Sequence, residues 1–139
     1  MNTDLEAPRV EGYLLLFRGN PWESEDFSNE QLQEIRDQVM SWFDQLQQAG
    51  KMVGGHPLMD RVKVVSGEGG RSVTDAPFAE AKEAVGGFLS LNVKSMEEAV
   101  AIARSNPMLQ YGLITEVREI ASGSPSLYRA RQKRSLAAG

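Results

Sequence analysis

Apolar residues change their spacing several times along the chain, and each change marks an element. Residues 11–17, EGYLLLF, form a nearly continuous apolar run of the kind that makes a strand buried on both faces. A period of two splits this run, with Tyr13, Leu15 and Phe17 on one side and Leu14 and Leu16 on the other. Further on the spacing becomes three and four, so that Leu32, Ile35, Val39, Trp42, Phe43 and Leu46 share one stripe. Ser28 with Gln31 has the form of a capping box, and Gly50 supplies a C-terminal stop, so the pattern predicts a helix over residues 29–49.

Residues 51–55 and 61–66 read as extended, and Glu68, Gly69 and Gly70 turn the chain into residues 71–75, which predicts a β-hairpin. Residues 87–93 alternate, with Leu89, Leu91 and Val93 opposite Phe88, Ser90 and Asn92. Ser95 and Glu98 repeat the capping-box spacing, and Met96, Ala99, Val100 and Ala103 form a second helical stripe that must stop before Pro107. A last strand over residues 113–120 sets Leu113, Thr115 and Val117 against Ile114, Glu116, Arg118 and Ile120.

The order strand, helix, strand, hairpin, strand, helix, strand is an α+β pattern. Two helices cannot cover both faces of such a sheet, so they are expected on one face, in a ferredoxin-like split β-α-β arrangement with an inserted β-hairpin. The first strand is apolar on both sides and needs a second cover. A second copy of the sheet is the simplest one, giving a sheet-to-sheet homodimer with a mixed polar and apolar cavity between the sheets.

A chain of 139 residues with 41% apolar content suits one domain with a sizeable core. The expected division is an N-terminal extension (1–10), the domain (11–120) and a basic C-terminal tail (121–139). There are no cysteines, which excludes disulfides, thiolate metal sites and a cysteine nucleophile. The start, MNTDLEAPRVEG, lacks the basic flank and apolar stretch of a signal peptide, and no apolar run approaches the ~20 residues that cross a bilayer; a cytoplasmic protein is expected. Net charge is -4, yet Arg129, Arg131, Lys133 and Arg134 lie beyond the last acid, Glu119; the rest carries 11 basic against 19 acidic residues. Such an acidic body repels phosphate backbones, so neither nucleic acid nor membrane is an expected partner of the folded domain. The Ser/Gly/Pro-containing basic tail reads as disordered or locally packed.

TDAPFAEAKE at residues 74–83, followed by Gly86, Gly87 and Phe88, resembles the hallmark segment of the DGPF proteins, a branch of the YCII-related group. Tyr13 to Phe17, GGHPL at residues 54–58 and Glu116-Val117-Arg118 agree in order, so the likeness spans about residues 11–120. The resemblance implies a ferredoxin-like dimeric α-β barrel. It also implies two kinds of role: acid/base chemistry through a His and an Asp, or regulation, since DGPF members often occur with extracytoplasmic-function sigma factors. The chain departs from the pattern at Ala76, where the family has glycine, at His56, where an acid is common, and at Glu119, where proline is common.

Candidate chemistry follows from the residues available. Asp75, before Ala76-Pro77, either caps a turn by accepting from nearby amides or acts as an acid/base group. His56 is the only histidine, so imidazole chemistry near neutral pH must use it; its Gly-Gly-His-Pro setting suits a turn equally well. Lys82 lies among Glu80 and Glu83 and serves either as an ion-pair partner or as an anchor for an anionic substrate. Glu116 and Arg118 share one side of the last strand, as an ion pair or as a site for a carboxylate or phenolate. Tyr13, Phe78, Lys82, Glu116 and Arg118 are the expected substrate-binding residues, with His56 and Asp75 as the catalytic pair. One His and no Cys give no metal-ligand spacing, no cofactor motif is present, and Gly-x-Ser-x-Gly, HExxH and nucleotide fingerprints are missing. Two functions are therefore expected: a cofactor-free elimination or isomerisation on a small anionic substrate, or a non-catalytic binding or regulatory protein.

Overall fold

The structure, a computed structural model, describes residues 6–19, 23, 26–75 and 84–138. Among these residues six strands and three α-helices follow in the order β1 (Val10–Arg18), α1 (Asn29–Gln48), β2 (Met52–Pro57), β3 (Lys63–Ser66), β4 (Ser72–Asp75), β5 (Val85–Leu91), α2 (Met96–Arg104), β6 (Ile114–Ala121) and α3 (Pro125–Ala138). Four strands form an antiparallel sheet in the order β2-β5-β1-β6, and β3 pairs with β4 in a separate hairpin. The units β1-α1-β2 and β5-α2-β6 interleave: β5 lies between β1 and β2, and β1 lies between β5 and β6. The chain is α+β, with the hairpin inserted between β2 and β5 as expected.

Local chemistry explains the helix ends. The Ser28 hydroxyl accepts from the Gln31 amide at 3.1 Å while the Gln31 side chain accepts from the Ser28 amide at 2.7 Å, a complete capping box worth about 1 kcal/mol. At the other end the Lys51 amide donates to Leu46 O and the Gly50 amide to Gln47 O, at 2.9 and 3.1 Å. This closure requires the left-handed backbone that Gly50 adopts, with φ 71°. In α2 the Ser95 hydroxyl caps the Glu98 amide, but the Glu98 carboxylate accepts from the Lys94 amide and from Lys51 Nζ rather than from the Ser95 amide. Those two donors, Lys51 first, hold the Glu98 carboxyl below the ordinary glutamate value.

The core lies between α1, α2 and one face of the sheet. Tyr13, Leu15, Leu89 and Leu91 from the sheet meet Trp42 and Leu46 of α1 and Ala99 and Ala103 of α2. Leu15 and Leu89 are fully enclosed, each contributing about 1.5–3 kcal/mol. Trp42 Nε1 donates to Ser105 Oγ at 2.8 Å, which satisfies the buried indole and ties α1 to the end of α2. Ile35, Met108 and Leu113 form a smaller cluster, joined to the main one through Phe17.

One expectation is corrected. Met96 and Val100 are exposed; Ile102 packs on the core beside Ala99 and Ala103, because the small alanines let α2 approach the sheet on that side. The basic tail forms α3, starting from Ser124, whose hydroxyl accepts from the Leu127 amide, with Pro125 at the first helical position and Arg, Lys, Gln and Ala following. α3 adds no residue to either core cluster, and Tyr128 in it is partly buried. Among the described residues no helix is long and apolar enough to cross a membrane.

Candidate ligand cavity and the outer sheet face

Cross-strand register sorts the candidate residues between the two faces of the sheet. Tyr13, Leu15 and Phe17 face the helices with Leu89, Leu91, Gly55, Pro57, Gly87, Thr115 and Val117, their partners row by row. His56, Phe88, Leu16 and Glu116 form one row across the opposite, outer face, and Gly54, Ser90, Leu14 and Arg118 form the next. His56, Glu116 and Arg118 thus belong to neighbouring rows on one face of the sheet. Tyr13 is a core residue, 6% exposed, and does not reach that face.

On the outer face the His56 ring stands edge-on to Phe88, with centroids 5.9 Å apart. At the other side of the sheet Glu116 is held between two guanidinium groups. Its Oε1 accepts from Arg118 Nη1 at 3.3 Å, and its Oε2 lies 3.0 Å from Arg18 Nε, a charge contact without hydrogen-bond alignment. Sequence reasoning missed Arg18. The signal was present, since the period of two that places Leu14 and Leu16 on the outer side continues to position 18.

Asp75 stands elsewhere. It ends β4, pairs with Lys63 across the hairpin, and accepts from Lys63 Nζ at 2.7 Å with its side chain 75% exposed. The carboxylate is thus engaged with its strand partner rather than with His56. Phe78 and Lys82 lie outside the described residues, so of the expected catalytic and binding set only His56, Glu116 and Arg118 are brought to one face.

A concavity lies on the helix-covered side of the sheet, between α1 and the β2-β5 edge. It is a cavity of about 670 Å³, within the size range of small-molecule sites. Its floor owes its depth to two glycines. Gly55 and Gly87 face α1, where any other residue would project a side chain, and a Cβ at either would run into backbone of the neighbouring strand: Phe88 O for Gly55, and His56 O at 2.8 Å for Gly87. Close β2-β5 pairing and the empty floor thus have one cause. Leu32, Ile35, Val39 and Phe43 of α1 form the roof, Phe17, Met52 and Leu89 the walls, and Met108 and Leu113 the far end.

The polar residues that line this cavity are Arg36, Asp44 and Gln47 of α1, His56 of β2 and Asn106. Arg36, Met40, Asp44 and Gln47 follow one another along the exposed edge of α1 at its rim, and neither Arg36 nor Asp44 has an ion pair among the described residues. Asn106, 6% exposed, is the buried polar residue of the lining. Its Oδ1 accepts from the Met108 amide at 2.9 Å, capping the short 3-10 turn Pro107–Tyr111. Nothing in the sequence pattern announced this cavity, because missing side chains on two neighbouring strands create it. Among the described residues no group of His, Asp and Glu is placed to hold a metal ion.

A model of the YCII-related domain family matches residues 13–121 of the chain. No curated protein matches it.

Proposed function

We propose, for a chain that belongs to the YCII-related domain family over residues 13–121, that it binds a small, largely apolar molecule between α1 and the β2-β5 edge of a ferredoxin-like sheet. The observation that carries this reading is the cavity itself: about 670 Å³, roofed by α1 and floored by glycines that leave it unfilled. A well-packed domain of this size ordinarily closes such a space with side chains. Leu32 and Met40, 39% and 48% exposed, stand at the cavity and gain burial when it is occupied.

The geometry favours binding over proton transfer. Acid/base catalysis by His56 and Asp75 needs the two groups at one substrate, whereas Asp75 is engaged by Lys63 in the hairpin and His56 packs on Phe88 across the outer face. A regulatory role linked to a sigma factor draws only on the family association and on no contact surface described above.

The outer face suits a second copy of the same sheet. Leu14, Leu16 and Phe88 stand there half-buried in the single chain, bordered by Arg18, Glu116 and Arg118. Pairing two such faces buries the apolar centre and leaves the charged cluster at its rim, so the working form is a homodimer with one ligand cavity on the helix-covered face of each sheet.

Fluorescence of 1-anilinonaphthalene-8-sulfonate tests the cavity reading. The folded wild-type chain should enhance it saturably, and Val39→Trp, which fills the roof, should abolish the enhancement while far-UV circular dichroism stays native. Unchanged saturable binding in that variant would place the probe elsewhere and remove the reading.

A further inference from the structure

Among the residues that line the cavity, Asn106 is the buried polar one, and its chemistry specifies more than apolar character. Asn106 is more than nine-tenths buried and lines the cavity beside Met108 and Leu113. Its hydrogen bond to the Met108 amide identifies the oxygen of the side chain as the capping acceptor, so the amide NH2 is the end left over. That NH2 has no hydrogen-bond partner among the described residues, and it is not among the side-chain atoms sealed from contact. The NH2 is thus open to contact but has no protein acceptor, on a residue that lines the cavity beside the apolar Met108 and Leu113.

We propose that Asn106 Nδ2 is the specificity-determining donor of the cavity, and that the ligand is a mainly apolar molecule carrying a neutral carbonyl-type acceptor at its buried end. The inference rests on the cavity reading above and adds the chemical class of the ligand. A neutral acceptor suits a neutral donor on a buried residue that shares the lining with Ile35, Met108 and Leu113, because a charge beside them would lose solvation without a counter-ion. Arg36 and Asp44 at the rim leave room for a charged group at the solvent end of the same ligand.

Two probes of matched shape separate the acceptor from the apolar body: 2-acetylnaphthalene, which carries a carbonyl, and 2-ethylnaphthalene, which does not. Binding to the full chain is followed through the 13C-labelled methyl groups of Met40, Met52 and Met108, all of which line the cavity. The expected result is that both probes shift these methyls, with the ketone roughly three- to tenfold tighter, the span of one neutral hydrogen bond. Asn106→Asp and Asn106→Ser both retain an oxygen to cap the Met108 amide and remove the NH2, so each should abolish the preference while hydrocarbon binding persists. Equal affinity of the wild type for both probes overturns the donor role and leaves the cavity reading standing. A ketone preference that survives in both variants overturns the assignment to Asn106. If neither probe moves the methyls of the wild type, this inference and the cavity reading fall together.

Discussion

Gly55 and Gly87 occupy helix-facing positions of β2 and β5 that side chains would otherwise fill, and in both the Cβ of an alanine would meet the backbone of the paired strand. Gly55→Ala and Gly87→Ala should each destabilise by about 1–3 kcal/mol, as overpacking does, because backbone cannot give way like the end of a side chain. Urea unfolding measures this directly, and an unchanged midpoint in both variants would mean that the strands are not held so closely. In the sequence these glycines were visible as residues but silent about purpose. Arg18 was legible by period two and passed over, whereas the burial of Tyr13 depended on which side of β1 the helices take, which period two alone leaves open. Asn106 gave no signal at all, since an Asn before Pro107 reads as a turn residue until the surrounding cavity is known.

The elements themselves were the most legible part, because each carries its own start and stop. Ser28 with Gln31, Gly50, and Ser95 before the second stripe define the ends of α1 and the start of α2 through local hydrogen bonds that need no tertiary context. α3 escaped notice for the converse reason. Its composition favours a helix, but its apolar residues follow no stripe, and Leu127 and Leu136 remain exposed. A helix of 14 residues with no place in either core cluster draws little stability from the domain. Ending the chain after Gly123 keeps the contacts of Ser122 with Arg9 and should leave the unfolding free energy of the rest within about 0.5 kcal/mol. A larger loss in chemical denaturation would show that α3 packs on the domain or on a partner copy.

At the scale of the whole molecule, the apolar run in β1 demanded cover on both sides of the sheet, and α1 and α2 provide it on one. The dimer proposed for the other face is tested by Leu16→Glu, which puts a carboxylate into the centre of the row formed with His56, Phe88 and Glu116. Sedimentation should find the wild type at twice the chain mass and the variant at the chain mass; a wild type that is monomeric at high micromolar concentration would remove the dimer without touching the cavity. The sequence-based expectation of a ligand space between paired sheets and the cavity found between α1 and the sheet lie on opposite faces, which makes them separable. Intermolecular nuclear Overhauser contacts from bound 2-acetylnaphthalene decide between them. Contacts to the methyl groups of Met40, Met52 and Met108, without contacts to Leu14 and Leu16, are the predicted result; contacts confined to Leu14 and Leu16 would contradict a ligand site beneath α1.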